Sequence, residues 1–124
     1  MKIAIVGSRN LKVENLEDFL PPETREIVSG GARGIDTYAE RYAKKKGLRL
    51  TVFYPDYEQF GKRAPLLRNH DIVNYADEVF AFWDGVSRGT AYTIEQAKKS
   101  GKPVHVFIFD GEQYKEAFST LTLF

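Results

Sequence analysis

The chain has 124 residues, 43% of them hydrophobic and none of them cysteine, so it can form one domain with a real core but no disulfide framework or thiolate metal site. Eighteen basic residues stand against 17 acidic ones, and a net charge of +1 is small for a dedicated nucleic-acid binder. No apolar run approaches the ~20 residues of a membrane-spanning helix, and the MKIAIVG stretch is too short for a signal peptide. We therefore expect one cytoplasmic domain over residues 1–124, without a membrane partner.

The first half of the chain alternates apolar strands with helical patterns. Leu16, Phe19 and Leu20 have helical spacing and precede a Pro-Pro pair that would stop a helix. Gly47 is suited to end the next helix. The predicted elements are a strand at Lys2–Val6, a helix around Leu16–Leu20, a strand at Glu26–Ser29, a helix at Gly34–Lys46 and a strand from Leu48 to about Pro55.

The second half continues this alternation. Pro65 can occupy the first turn of a third helix, whose apolar face carries Ile72 and Val73. A strand at Val79–Trp83, a helix at Thr90–Ser100 and a strand at Val104–Phe109 are predicted to follow. The structure of the tail after Asp110 is ambiguous. Its apolar residues, which should pack back or cover a partner subunit in a homodimer, are Phe118, Leu121, Leu123 and Phe124.

Regular alternation of strand and helix predicts a parallel sheet with helices on both faces. Right-handed crossovers then favour a doubly wound order. The fold class predicted is α/β, a Rossmann-like doubly wound three-layer sandwich with about five parallel strands in the order 3-2-1-4-5.

Polar segments follow the first four predicted strands. In a parallel sheet these segments meet at one edge, where ligands bind at the topological switch point. Strand, glycine-rich turn and helix is also the geometry that points free backbone N–H groups at an anion. The segments are Gly7-Ser8-Arg9, the SGGARG turn at 29–34, the loop at 54–64 and WDGVSRGT at 83–90.

Two of these segments should face each other across the switch point. Ser8 with Arg9, and Ser87 with Arg88, resemble two halves of a clamp, because the planar donor fork of arginine suits phosphate. Gly89-Thr90 then opens a helix whose N-terminal dipole adds partial positive charge. The arrangement predicts a phosphate-bearing ligand.

Each piece also has a purely structural explanation. Thr90 can be a helix N-cap, and Asp36 can complement the dipole of its helix. The glycine-rich turn can be a tight connection, and Arg33 and Arg88 can be solvated surface charges. Their convergence on one predicted crevice favours ligand binding.

Further candidate residues come from the third predicted helix and from the rim of the predicted crevice. Arg68 and Asn69 lie about one turn inside that helix, and Asn69 can either bond a neighbouring backbone group or reach the crevice. A nucleobase could stack on a rim aromatic ring, although Tyr54 can instead end a strand in the core. The rim aromatic residues are Tyr54, Tyr57, Phe60 and Trp83.

Conventional catalytic sets are not readable in the sequence. His70 and His105 have no evident serine partner, and His105 fits a structural role inside a strand. The patterns HExxH, GxxxxGK[ST] and GxGxxG are absent, so no metal and no cofactor is expected. Catalytic residues are therefore unknown, with Asp84 and Glu95 as candidates beside the carboxylate of Asp36. Glu95 can instead pair with Lys99 on the helix surface.

Taken together, GSR after the first strand, SGGARGID at the second, RN in the third helix and FWDGVSRGT after the fourth strand resemble the SLOG superfamily. This Rossmann-like group joins the DNA-processing protein DprA and the Lonely Guy phosphoribohydrolases, and the likeness is to its small stand-alone YspA-like branch. It covers the chain to about Phe109. Lonely Guy enzymes carry PGGxGTxxE, whereas this loop reads VSRGTAYTIE, with Thr93 in place of that glutamate.

The resemblance implies binding of a nucleotide or a nucleotide-derived ligand through phosphate and ribose. We expect a sensor or binding module. The alternatives are a nucleoside monophosphate phosphoribohydrolase that cleaves the N-glycosidic bond and DprA-like single-stranded nucleic-acid binding, the latter disfavoured by the near-neutral charge. The expected ligand-binding residues are Gly7, Ser8, Arg9, Gly30, Gly31, Arg33, Gly34, Arg68, Asn69, Trp83, Asp84, Ser87, Arg88, Gly89 and Thr90.

Overall fold

The computed structural model describes residues 1–120. Within them, six strands form one sheet in the order β3-β2-β1-β4-β5-β6, in which β1 to β5 are parallel and β6 is antiparallel to β5. This confirms the α/β class and the predicted order of the parallel strands. The strands are β1 (Lys2–Gly7), β2 (Glu26–Ser29), β3 (Arg49–Val52), β4 (Glu78–Trp83), β5 (Val104–Phe109) and β6 (Tyr114–Ser119).

Three long helices cover the sheet. The helix after β2 ends at Gly47, whose left-handed φ of 68° lets the chain turn back. The helix before β4 has a proline in its first turn, where no backbone donor is lost. The helices of the described residues are α1 (Ile35–Lys46), the one-turn α2 (Tyr57–Phe60), α3 (Ala64–Tyr75) and α4 (Arg88–Lys99).

The core lies in two apolar layers, one on each face of the sheet. On one face, Ile5, Ile27 and Phe82 pack against α1 and the segment between β1 and β2. On the other face, residues of β1, β4 and β5 pack against Ile72 of α3 and Ile94 of α4. The central strands β1 and β4 are covered on both faces, as the unbroken apolar runs of their sequences predict.

The predicted helix around Leu16–Leu20 is wrong, because that segment contains only a 3-10 turn at Leu16–Asp18. Four apolar side chains of the connection are buried without a regular helix, at positions 11, 13, 16 and 20. The first two are two residues apart, a spacing that no α-helix places on one face. This crossover therefore covers the sheet with loop and a single turn.

The tail after Asp110 returns as β6 along β5 and closes that edge of the sheet. Phe118 in β6 is 41% exposed, and the Lys98 ammonium lies over its ring at 4.3 Å from the centroid. The predictions for Leu121, Leu123 and Phe124 fall outside the described residues. Among residues 1–120 no helix is long and apolar enough to cross a membrane.

Two further expectations are corrected at the carboxyl edge of the sheet. α4 begins at Arg88 with Ser87 in the N-cap position, so Thr90 is a buried residue of the first turn and not an N-cap. Tyr54 does not end a strand in the core: β3 stops at Val52, and the Tyr54 side chain is 69% exposed.

Candidate functional site

A cavity of about 460 Å³ opens at the carboxyl edge of the sheet, where β1 and β4 lie side by side. This is the switch point, because the chain goes from β1 to β2 on one side and reaches β4 on the other. The structure brings nine of the predicted ligand-binding residues into its wall. They are Gly7, Ser8, Arg9, Arg68, Asn69, Asp84, Ser87, Gly89 and Thr90.

Six predicted residues lie outside the cavity wall, including every glycine of the SGGARG turn. Arg33 and Arg88 are exposed, and Trp83 donates its ring N–H to the Ser87 carbonyl at 3.0 Å. The six residues are Gly30, Gly31, Arg33, Gly34, Trp83 and Arg88.

The glycines of this turn are required by protein neighbours. A β-carbon on Gly30 would lie 2.7 Å from a guanidinium nitrogen of Arg68. On Gly31, whose φ is +70°, it would lie 2.6 Å from the Tyr54 ring. The turn is therefore packed by side chains, and its glycines serve close contact within the protein and not contact with the cavity.

Gly34 fixes the position of α1 relative to the turn after β1. Its φ is +73°, and a β-carbon there would overlap the backbone of Arg9. Gly7 makes the reciprocal contact, since a β-carbon on it would lie 2.6 Å from the Ile35 side chain. These contacts bring the start of α1 against Arg9 and so build one wall of the cavity.

The turn between β4 and α4 is organised by Asp84. Its carboxylate accepts hydrogen bonds from the Val86 N–H at 2.9 Å, the Ser87 N–H at 2.7 Å and the Ser87 hydroxyl at 2.6 Å. Burial alone would raise the pKa of Asp84, but the bonds from Ser87 and Val86 lower it to about 2. The Asp84 N–H also donates to the Ser8 hydroxyl at 3.2 Å, which joins the turns after β1 and β4.

Arg68 is a buried arginine in the cavity wall, with 9% of its surface exposed. Its Nη1 donates to the carbonyl of Gly30 and, at 3.4 Å, to that of Phe53. Its Nε donates to the Asn69 side-chain oxygen at 2.8 Å. Of the two predicted roles for Asn69, it lines the cavity, and it bonds a side chain where a backbone bond was the alternative. Arg68 thus braces the loops after β2 and β3 from within α3.

Asp36 is the buried carboxylate of the cavity wall, with 7% of its surface exposed. Burial raises its pKa, against the opposing effects of the Ala32 N–H, which donates to Oδ2 at 3.0 Å, and of the Arg68 charge. Its position in the first turn of α1 fits the expected complement to the helix dipole. A role at the helix dipole does not require burial, whereas Asp36 is buried in the wall of the cavity.

The two catalytic candidates are poorly placed for acid–base chemistry. Asp84 has both carboxylate oxygens occupied and a low pKa. Glu95 lies outside the cavity wall on α4, is 61% exposed, and pairs with Lys98 at 3.8 Å and not with Lys99. Asp84 therefore lacks the raised pKa of a typical general acid, and Glu95 lies too far from the cavity wall to act on a ligand there.

The histidines occupy separate contacts away from this cavity. His105 contacts Glu78 at 2.7 Å and the Ser119 hydroxyl at 3.0 Å, which links β4, β5 and β6 in a set that the sequence did not reveal. Ser119 also donates its hydroxyl hydrogen to Glu116, so that hydrogen is directed away from His105 and the serine is not activated as a nucleophile. His70 bonds the Tyr92 hydroxyl at 2.7 Å.

The chain is similar to the Gene 61 protein of Mycobacterium phage D29, with 40% identity over 116 residues that cover 83% of this chain and 93% of the phage protein. The chain belongs to the Gene 61 protein family. No protein-family model matches it, and no solved structure matches it. The Gene 61 likeness extends over most of both chains.

Sequence reasoning missed several residues of the cavity wall in this Gene 61 family member. Thr93 is 1% exposed and donates its hydroxyl to the Gly89 carbonyl at 3.0 Å. It stands one turn after Gly89 on the same helix face, a spacing that could have revealed it. Asn10 and Pro65 also line the cavity. Asn10 is the polar residue that follows Arg9, and Pro65 lies in the first turn of α3, the helix that carries Arg68.

Proposed function

We propose that this protein binds a nucleotide or a nucleotide-derived ligand through its phosphate and ribose at the carboxyl edge of the parallel sheet. The observation that carries the proposal is the cavity at the switch point, whose wall combines Arg9, Arg68 and the first turn of α4. A volume of about 460 Å³ falls in the usual range for small-molecule sites. The role proposed is that of a sensor or binding module.

The donor groups support an anionic ligand. Arg9 is exposed at the mouth and offers a planar donor fork, and Gly89 and Thr90 belong to the first turn of α4, where backbone N–H groups are free of helical partners. Asp84 already neutralises part of this end of α4 through the Val86 and Ser87 N–H groups. The remaining attraction for a phosphate therefore depends on Arg9 and the later N–H groups of that turn.

The first test is thermal unfolding with nucleoside mono-, di- and triphosphates, ADP-ribose, NAD and cyclic nucleotides. A ligand at 100 times its dissociation constant adds about 2.7 kcal/mol of stability, which raises the midpoint of a domain this size by roughly 10 °C. In Arg9→Gln the shift should shrink, because the phosphate loses a charged donor. Arg49→Gln is the matched control, since Arg49 begins β3 at the opposite edge of the sheet. Equal shifts in both variants would contradict the site assignment.

Hydrolysis of an N-glycosidic bond remains the alternative function for the same cavity. It needs a carboxylate that positions water or protonates the leaving base. Asp84 has both carboxylate oxygens occupied, and Glu95 lies outside the cavity wall. Asp36, whose pKa burial raises, is the carboxylate of the wall that this alternative would have to use. Release of free base from a nucleoside monophosphate during long incubation, detected by chromatography, would replace binding without turnover with hydrolysis.

Single-stranded nucleic-acid binding is the third function to be tested. The basic residues Lys44, Lys45 and Lys46 lie at the end of α1, at the edge of the sheet away from the cavity. A salt-sensitive shift of an oligonucleotide at low ionic strength that Arg9→Gln weakens would assign such binding to the cavity.

A further inference from the structure

Asp36 and Arg68 carry opposite charges and line the same cavity wall. Neither side chain uses all of its hydrogen-bonding positions within the protein. Both side chains are at least nine-tenths buried, at 7% and 9% exposure. Ion pairs of residues 1–120, with nitrogen and oxygen within 4.0 Å, join other groups and do not include this pair. Arg68 nevertheless lowers the pKa of Asp36 against the effect of burial, so the two charges act on each other although they form no ion pair.

Each side chain retains unused hydrogen-bonding capacity. Asp36 accepts the Ala32 N–H at Oδ2, and a bond from the Gly30 N–H also lowers its pKa. A carboxylate has about four acceptor positions, so part of its capacity remains unused. Arg68 uses Nε and Nη1 for its bonds to Asn69, Gly30 and Phe53, and its Nη2 has no bond among the described residues. The cavity wall thus offers an acceptor from Asp36 and a donor from Arg68.

A ligand group that contacts both side chains in the cavity has to donate to Asp36 and accept from Arg68. A phosphate oxygen cannot donate to a carboxylate when ionised, and an ammonium cannot accept from a guanidinium. A hydroxyl does both, and a vicinal diol can present two O–H groups to one carboxylate. We propose that Asp36 and Arg68 hold the 2′,3′-diol of the ribose of the bound ligand, and that the site selects ribonucleotides over deoxyribonucleotides. This inference rests on the proposed function.

Asp36 sets the selectivity, and Arg68 completes the hydrogen bonding of the diol. A hydrogen bond from a hydroxyl to a carboxylate is stronger than one between two neutral groups. Loss of the 2′-hydroxyl should therefore weaken binding about tenfold to one-hundredfold. Deoxyribose would leave the buried Asp36 carboxylate short of a donor, and that is the main source of the discrimination.

The test measures dissociation constants of the full chain by NMR titration. The probes are AMP, GMP, CMP and UMP, each with its 2′-deoxy counterpart, and inorganic phosphate. The wild type should bind at least one ribonucleotide about tenfold or more tightly than its deoxy form. In Asp36→Asn, which keeps the shape and an oxygen for the Ala32 N–H, this gap should fall to within about twofold. Asp71→Asn, at an exposed position of α3, is the matched control and should keep the gap.

The outcomes separate this inference from the proposed function. Equal affinities for ribo and deoxy forms in the wild type would overturn the diol site while leaving nucleotide binding in place. A gap that persists in a folded Asp36→Asn would overturn the role of Asp36. If neither phosphate nor any nucleotide shifts a cavity resonance, with the di- and triphosphates, ADP-ribose, NAD and cyclic nucleotides included, the proposed function fails and the inference fails with it. The wild-type comparison needs no variant, so it stands even if Asp36→Asn does not fold.

Discussion

The two glycine-bearing connections at the carboxyl edge of the sheet are built for different tasks. Between β2 and α1, a side chain on Gly30 or Gly31 would collide with Arg68 or Tyr54, so the turn is already filled by the protein. At the start of α4, just after the β4–α4 connection, a β-carbon on Gly89 would meet no atom of another segment within 4 Å, and Gly89 lines the cavity. The β2–α1 connection, residues 30–34, is tightly packed against the protein's own atoms. The start of α4 has open space that a ligand can use.

This difference shows that a glycine-rich turn before a helix does not by itself identify the surface that meets a ligand. Such a turn needs small residues whenever something comes close to its backbone, and here the close neighbours of one turn are the protein's own side chains. The SGGARG turn lines the cavity only with Ala32, and its other contribution is to position Arg68 and Asp36. Substitutions of glycine in the two connections should therefore have opposite effects on stability and on binding.

The largest effect on the free energy of unfolding is expected at Gly34, in the tightly packed β2–α1 connection. Gly34→Ala would place a methyl group in the backbone of Arg9 at a φ of +73°, which combines overpacking with backbone strain. We expect a loss of about 2–5 kcal/mol in the free energy of unfolding, measured by urea denaturation. Gly47→Ala is the control, because its φ is +68° with no neighbour within 4 Å. It should lose about 1–2 kcal/mol, and an equal loss in both would show that the Arg9 contact is unimportant.

Gly30→Ala should come next, because the added methyl group meets the guanidinium of Arg68. The expected loss is about 1–3 kcal/mol in the free energy of unfolding, since Arg68 must leave its bonds to the Gly30 and Phe53 carbonyls. A double-mutant cycle tests the cause. In an Arg68→Ala background Gly30→Ala should cost little, and the same loss in both backgrounds would place the clash elsewhere.

In the β4–α4 connection, Asp84 should contribute a smaller, pH-dependent stability. Its pKa in the folded protein is about 2 against an ordinary value of 3.8, so its contribution is complete above about pH 5 and is lost as the pH falls through 3.8 towards 2. Asp84→Ala should therefore lose about 1–2 kcal/mol at pH 7 and much less at pH 2. Urea titrations repeated across this pH range measure the effect, with Asp71→Ala, at an exposed helical position, as the matched control. An equal pH dependence in both variants would contradict the role of the Asp84 hydrogen bonds.

Local pattern was sufficient for most of the fold and for about half of the site. The apolar runs of β1, β4 and β5 and the helical spacing of α1 follow from contacts near in sequence, and handedness then determines the strand order. The loop around Leu16 was mispredicted because its apolar residues are buried by the sheet and not by a helical face. The contact of Gly30 with Arg68 joins residues 38 positions apart, which spacing alone cannot reveal.

The smallest effect on stability is expected at Gly89. A substitution there tests most directly whether the start of α4, unlike the β2–α1 connection, is open to a ligand. Gly89→Ala adds a methyl group in open space at the second residue of α4, where alanine is a better helix former than glycine, so the free energy of unfolding should stay the same or rise by up to ~1 kcal/mol. The same methyl group would extend into the cavity next to the N–H groups of the first helical turn. Whichever nucleotide raises the wild-type thermal midpoint should therefore bind this variant less tightly. A variant that keeps full affinity would place the ligand away from the start of α4, even though the space there is open.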